Sequence, residues 1–474
     1  MNKVILKPSY QTLVSGIIFA LCILVSSCER DDDPAPTSIN EENTHVNGWI
    51  LDNMKLWYLW ESELPPSPNK NASPEAFFES LLSPEDRFSW IQEDYKELLN
   101  SLQGISKEAG YEYVLYKEDG TENVLVQILY VKPGSPAESE GLQRGDVITH
   151  VNSQRVTTSN YRDVLNDFGA SSFSITYKPI LAEGGKFDVE RTASLSTVVF
   201  PEDPNLMSKV ITINGRKIGY YVYNFFSSGT DQDIDKYDRE MDEIFTSFKA
   251  SGITDLVLDL RFNSGGSETS ATNLASLIAP GANSTKIFFK KEYNDKIESE
   301  LLDDPEIGPA ALQRNLTVKA GNVGSQLNGR VYILTGSRTA SASELIINGL
   351  RPYMDVFLIG DVTYGKNVGS VSIYDEEDPK NTWGIQPIVL KVYNSLDESD
   401  YSEGFVPNIE NRDNNLFIYP LGDVREELLS IAIETISGVP VTARKKRDAG
   451  TREIIGHSLD IKKRSFILNV EPSR

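Results

Sequence analysis

Between about Lys217 and Gly438, short apolar runs alternate with segments of helical period, which constrains the fold more than anything else in the chain. Ile218 to Phe226 reads as a strand and Ile234 to Ala250 as a helix. Asp255-Leu256-Val257-Leu258-Asp259-Leu260 reads as a buried strand that ends in Arg261-Phe262-Asn263-Ser264-Gly265-Gly266. A helix through Leu274 to Ile278 follows, then strands at Val331 to Thr335 and Val356 to Ile359. The alternation predicts an α/β core with largely parallel strands. Such sheets gather ligands at the carboxyl ends of their strands, where the glycine pair and a small-residue turn around Ser341 both fall.

At 474 residues the chain is too long for one ordinary core, and a soft prior gives about three domains. Lys3 and Lys7 precede an apolar run through Ile17 to Val25 that closes on Ser26-Ser27-Cys28, the pattern of an export signal. The segment Val25-Ser26-Ser27-Cys28 resembles a bacterial lipobox, which implies a lipid on Cys28 and an anchored protein in the envelope of a Gram-negative bacterium, on the outer membrane. Cys22 would leave with the signal, so no thiol remains for a disulfide or a metal. Residues 29–44 are acidic and then Pro/Ser/Thr/Asn-rich, and read as a flexible linker. The net charge of −23 argues against nucleic acid as a partner, since a polyanion is repelled wherever basic residues do not cluster.

From Val46 to about Leu99 the pattern is helical, with Trp49, Met54, Trp57, Tyr58, Trp60, Phe77, Phe78 and Leu81 as core, and residues 45–103 are expected to form a small helical domain. Asp86-Arg87-Phe88-Ser89-Trp90 leads into a short helix near its end. Residues 104–185 surround Lys132-Pro133-Gly134-Ser135-Pro136-Ala137, Gly141-Leu142, Gly145-Asp146-Val147-Ile148 and Val151-Asn152. Those glycines and prolines set tight turns at fixed intervals, and the set resembles a PDZ domain in the strand order of bacterial proteases. Such a domain implies peptide capture by strand addition, along Gly110 to Val114 with Tyr111 and Tyr113, facing a helix at Tyr161 to Phe168 with Val164 or Leu165 at the pocket. A PDZ domain serving only as a spacer is the plainer alternative. Residues 186–438 form the expected core domain, and 439–474 a basic tail, with Arg444-Lys445-Lys446-Arg447 and Lys462-Lys463-Arg464. That tail reads as solvated or crossing, although it could dock on the acidic body or touch anionic lipid.

The chemistry concentrates in Thr339-Ala340-Ser341-Ala342-Ser343-Glu344 and Thr363-Tyr364-Gly365-Lys366. A serine at the start of an apolar helix and a lysine just past the next buried strand can assemble a nucleophile and its base. The only histidines are His45, His150 and His457, none near a glycine-framed serine, so an imidazole triad would have to recruit one from a distant segment. Unpaired N–H groups at the helix start favour a developing oxyanion. The donors would be Ala342 and one of Gly265 or Gly266. Lys366 must lose its charge, a fall in pKa from about 10.4 to about 7 or 8 that costs roughly 4 kcal/mol. Burial beside Val356 to Ile359 could supply it. Ser343 is expected to cap the helix, and Thr339 could do the same.

Together these motifs, downstream of the PDZ signature, resemble the C-terminal processing peptidases, or tail-specific proteases, from about Asp86 to Ile436. The resemblance implies a multidomain α+β chain with a ClpP/crotonase-like α/β core. It also implies a serine endopeptidase with Ser341 as nucleophile and Lys366 as base, a PDZ domain that captures accessible C-terminal ends of proteins or peptides, and no cofactor or metal. Two positions depart from it: Ser370 stands where many relatives carry a glutamine four residues after the lysine, and Pro352 where others carry an aspartate. A non-catalytic peptide-binding lipoprotein is therefore the second reading, and a carbohydrate or lipid hydrolase with the same dyad is the third.

Overall fold

The computed structural model describes residues 41–181, 186–305, 308–441, 453–461 and 467–469. The expected signal, Cys28 and most of the linker lie outside the described residues. Among the described residues no helix is long and apolar enough to cross a membrane.

The N-terminal unit begins with the helix Glu41–Trp57. Val46, Ile50 and Met54, spaced four apart, bury one face of it against Phe77, Phe78, Leu81 and Tyr58. Pro74 opens the second helix, Pro74–Glu79, whose Ser73 cap accepts the Ala76 N–H. This unit is not free-standing, because Ile385 of the core completes its apolar cluster. The strand Trp90–Gln92 also pairs antiparallel with Gly384–Gln386.

Next comes an antiparallel sheet in the order Ile454–His457, Tyr111–Lys117, Val124–Val131, Val147–Val151, Ser172–Lys178, Arg191–Ser196. Its core holds Tyr113, Val126, Ile128, Ile148, Val164 and Phe173, under the helix Tyr161–Asn166. The sheet runs past the expected boundary at 185/186, since Phe173 and Ile175 pair with Leu195 and Ala193. Its first strand comes from the tail, so Ile454–His457 crosses back to the PDZ sheet and is paired there, while Ile454 stays half-exposed.

The core has a six-stranded sheet in the order Met207–Ile213, Arg216–Val222, Asp255–Asp259, Arg330–Thr335, Asp355–Gly360, Ile409–Glu410. All its pairs but the first are parallel. The helices Lys236–Ser251, Glu268–Ile278 and Ala342–Leu350 bury Met241, Phe245, Leu274, Leu277, Leu345 and Ile346 with the strand residues Leu256, Leu258, Val331 and Ile333. A second six-stranded sheet was not foreseen: Gly265–Ser267, Ile467–Asn469, Val368–Ser370, Ile388–Tyr393, Ile287–Tyr293, Gln313–Asn315. Four of its strands are only three residues long, and one of these belongs to the tail, so the sequence pattern carries little trace of it.

Candidate active site

Three neighbouring parallel strands, Asp255–Asp259, Arg330–Thr335 and Asp355–Gly360, each pass from their carboxyl end into one loop of the site. The first leads to Gly265 and Gly266, the second to Ser341, the third to Lys366. At the turn out of the third strand Gly360 has φ +137, and a Cβ there would stand 1.9 Å from the Thr335 carbonyl oxygen. Only glycine lets the two loops leave side by side.

Ser341 is the N-cap of the helix Ala342–Leu350 and holds φ +59, a conformation that costs a non-glycine residue about 1–3 kcal/mol. Its side chain is 1% exposed, and its Oγ has no hydrogen-bond partner among the described residues. A strained, buried hydroxyl with no partner of its own is poised to act on something else. The capping expected of Ser343 and Thr339 is not what the structure has. Ser343 Oγ donates to the Asn263 carbonyl at 3.0 Å and Thr339 Oγ1 to the Leu260 carbonyl at 2.8 Å. Both therefore tie the serine loop to the glycine loop, because Ser341 itself occupies the cap.

Glu344 organises the constellation. One oxygen accepts the Ser341 N–H and the Lys366 N–H, both at 2.8 Å, and the other accepts the Gly365 N–H at 2.7 Å and the Thr363 hydroxyl at 2.6 Å. Burial pushes the Glu344 carboxyl up, and these four donors oppose that shift. The sequence reading quoted Glu344 within its motif but gave it no task; a carboxylate one helical turn after a candidate nucleophile was the available signal.

Lys366 is 1% exposed, and burial lowers its pKa from 10.5 to about 7, with Asp86 and Glu344 pulling the other way. Its dry surroundings include a group that the sequence reading did not foresee. Nζ lies 4.8 Å from the centroid of the Phe88 ring, contributed by the N-terminal unit. Arg87 fixes that segment by donating to the Gly365 carbonyl at 3.0 Å. Tyr58 OH fixes it from behind, donating to Asp86 Oδ2 at 2.8 Å while accepting the Ser83 N–H. Ser370, at the expected glutamine position, accepts a 3.1 Å hydrogen bond from the amide of Gln386, buried on the strand that pairs with Trp90–Gln92. A glutamine thus reaches the same place from another strand.

The N–H of Gly265 donates to Asn263 Oδ1 at 2.9 Å, so it is already engaged. The Gly265 carbonyl and the Ser267 N–H bond Phe226, which by strand alternation leaves the N–H of Gly266 on the opposite side of the segment. A side chain at Gly266 would place Cβ 2.1 Å from the Phe226 carbonyl oxygen. Ala342 is fully buried, and its N–H heads the serine helix. Tyr111, Tyr113 and Val164 are buried with Phe168 in the PDZ core, the two tyrosine rings meeting Phe168 edge-on at 5.7 and 5.5 Å. The backbone edge of that strand is paired with Ile454–His457, and the Tyr113 N–H donates to Ser458 Oγ.

Behind the glycine loop lies a buried ionic cluster. Arg261 meets Asp259 at 2.9 Å, Asp413 at 2.8 Å and Glu426 at 2.6 Å. Arg144, from the PDZ motif, reaches Asp413 at 3.0 Å and Glu426 at 3.3 Å. Burial alone would raise the Asp413 carboxyl, but the two guanidinium groups hold it at about 2. The cluster joins the PDZ domain to the loop that carries Gly265 and Gly266. No group of His, Cys, Asp and Glu among the described residues could hold a metal ion.

Comparisons with known proteins agree with this layout. The model of peptidase family S41 matches residues 217–410, that of the peptidase S41 N-terminal domain 45–90, and a PDZ domain model 127–176. A carboxyl-terminal-processing protease of Picosynechococcus is 23% identical over 336 residues, covering 70% of each chain. The carboxy-terminal processing protease CtpA of Bacillus subtilis is 25% identical over 290 residues, which span 60% of this chain and 53% of that protein. The crystal structure of an S41 protease from Bacteroides fragilis superposes with a TM-score of 0.68 at 29% identity, over 82% of this chain and 97% of that one. With its N-terminal, PDZ and catalytic-core regions all matched in order, the chain belongs to peptidase family S41, among the serine-type C-terminal processing proteases.

Proposed function

We propose that the protein is an endopeptidase of exported proteins that works through a Ser341/Lys366 dyad and captures substrate C-termini with its PDZ domain. The observation that carries this reading is the dry amine of Lys366, lowered by burial to about 7, on a residue whose backbone N–H shares one Glu344 oxygen with the Ser341 N–H. Ser341 Oγ attacks the scissile carbonyl, and Lys366 Nζ takes its proton. The N–H groups of Gly266 and Ala342 receive the oxyanion. The ammonium then returns the proton to the departing amine, and a water deprotonated by the same lysine clears the acyl-enzyme. In the state described here Oγ and Nζ are not hydrogen-bonded to each other, so a rearrangement precedes attack.

The basic, apolar and small-residue pattern ending at Cys28 supports an outer-membrane lipoprotein in a Gram-negative envelope as the setting. The test is Ser341→Ala: cleavage of an unstructured reporter peptide should vanish while the melting transition stays in place. If wild-type protein neither cleaves nor reacts with a serine-directed phosphonate, the peptide-binding reading replaces this one. Palmitate labelling that survives Cys28→Ser would remove the lipid anchor.

A further inference from the structure

The described parts of the C-terminal tail lie on both surfaces that the proposed function reserves for substrate. Ile454–His457 adds antiparallel to Tyr111–Lys117 at the edge of the PDZ sheet, pairing Ile454 with Tyr116, Gly456 with Leu115 and His457 with Val114. The Lys117 N–H donates to the Glu453 carbonyl at 3.0 Å, and Ile455 packs on the PDZ core. At the end of this strand, where a captured terminus would find backbone donors, Ser458 Oγ accepts the Tyr113 N–H at 2.9 Å and donates to Glu112 at 2.5 Å. Leu459 is then 3% exposed, in a cluster with Val114, Tyr116 and Phe262 of the glycine loop. Asp460 forms a two-pronged ion pair with Arg338, at 2.8 and 2.5 Å, three residues before Ser341. Finally, Ile467–Asn469 runs parallel to Gly265–Ser267, with Leu468 beside Gly266. The Gly266 N–H, the expected oxyanion donor, faces this strand.

We infer that residues 453–461 and 467–469 are occupants of a peptide track that runs from the PDZ edge past Arg338 to the oxyanion strand, and that the track stays closed until a substrate displaces them. The inference rests on the peptidase reading. The order of occupation shows why the tail blocks and is not itself presented for cutting. A substrate held by its C-terminus offers the cleft residues that precede the held end, whereas the tail offers residues that follow it. The track therefore takes extended peptide with an aliphatic side chain at the Ile455 station.

The test uses the full chain and two readouts: reporter-peptide turnover, and hydrogen exchange at the Tyr113 and Lys117 amides that the tail covers. Leu459→Asp puts a charge into the apolar cluster and should speed exchange at both amides and raise turnover, each about tenfold. A synthetic peptide of residues 453–469 should bring the turnover back down. Faster exchange with unchanged or lower turnover overturns the inference, as does unchanged exchange in a folded variant. If Leu459→Asp does not fold, Asp460→Asn decides, since its side chain is 43% exposed. Turnover should rise about twofold to fivefold there, and no rise overturns the proposal. Absence of turnover and of Ser341 labelling in every form, the wild type included, would instead defeat the peptidase reading, and exchange alone would then judge whether the tail is docked.

Discussion

Phe88→Ala tests the physical basis of the lysine base. The ring lies 4.8 Å from Nζ, and burial lowers the pKa of Lys366 from 10.5 to about 7. Removing the ring opens a path for water on that side. If hydration restores half of the difference, the midpoint moves to about 9, and at pH 7 the neutral fraction falls from about one half to about 1–2%. The variant should then lose about thirtyfold in kcat/KM at pH 7 and recover most of it by about pH 10, because the chemistry of the neutral amine is untouched. The assay is a pH profile of kcat/KM on an unstructured reporter peptide, for wild type and variant, with melts confirming the fold at each pH. An ascending limb that stays near pH 7, or a loss of the same size at pH 7 and pH 10, would refute the claim that the ring keeps the amine neutral.

Other outcomes follow from the same geometry. Lys366→Met should abolish turnover yet raise stability. The folded-state pKa lies below the unfolded one, so the unfolded wild type binds the extra proton between pH 7 and about 10.5, and wild-type stability rises with pH across that window by up to about 5 kcal/mol. Thermal melts should therefore show a methionine advantage that is large at pH 7 and shrinks by pH 10. Glu344→Gln turns one acceptor oxygen into a donor against N–H groups and should cost about 2–3 kcal/mol, with at least a hundredfold loss of kcat, read by denaturant melts and kinetics. Asp413→Asn removes a carboxylate held at about 2, below its usual 3.8, so it should cost about 2 kcal/mol at pH 7. The wild-type advantage, complete above about pH 4, should be lost as pH falls through about 2, which acid titration of stability checks.

The strands that carry the site were legible because they are buried on both faces and bounded by glycine, so Asp255–Asp259, Arg330–Thr335 and Asp355–Gly360 fall within a residue or two of the expected runs. Ser341 and Lys366 were legible as residue types at a characteristic interval. What surrounds them was not. Phe88 lies 278 positions before Lys366 in the chain, and no local pattern announces that an aromatic in an N-terminal turn will cover a lysine so far along the sequence. Gln386 was hidden for a similar reason, since its place beside Ser370 depends on the pairing of Gly384–Gln386 with Trp90–Gln92. The tail misled through its composition: its lysines and arginines suggest solvent, whereas the docked stretches are the less charged ones between them.

The reach of Phe88 over Lys366 makes the chemistry conditional on assembly. The chain lays down serine, lysine and glycines within its latter half, but the ring that covers the amine arrives only when the residues around Trp90 pair with Gly384–Gln386, and the amine is expected to stay charged until then. On the proposed mechanism, a nascent or partly opened molecule would hold its serine and lysine without a working base, and so would not digest itself or its neighbours before folding is complete.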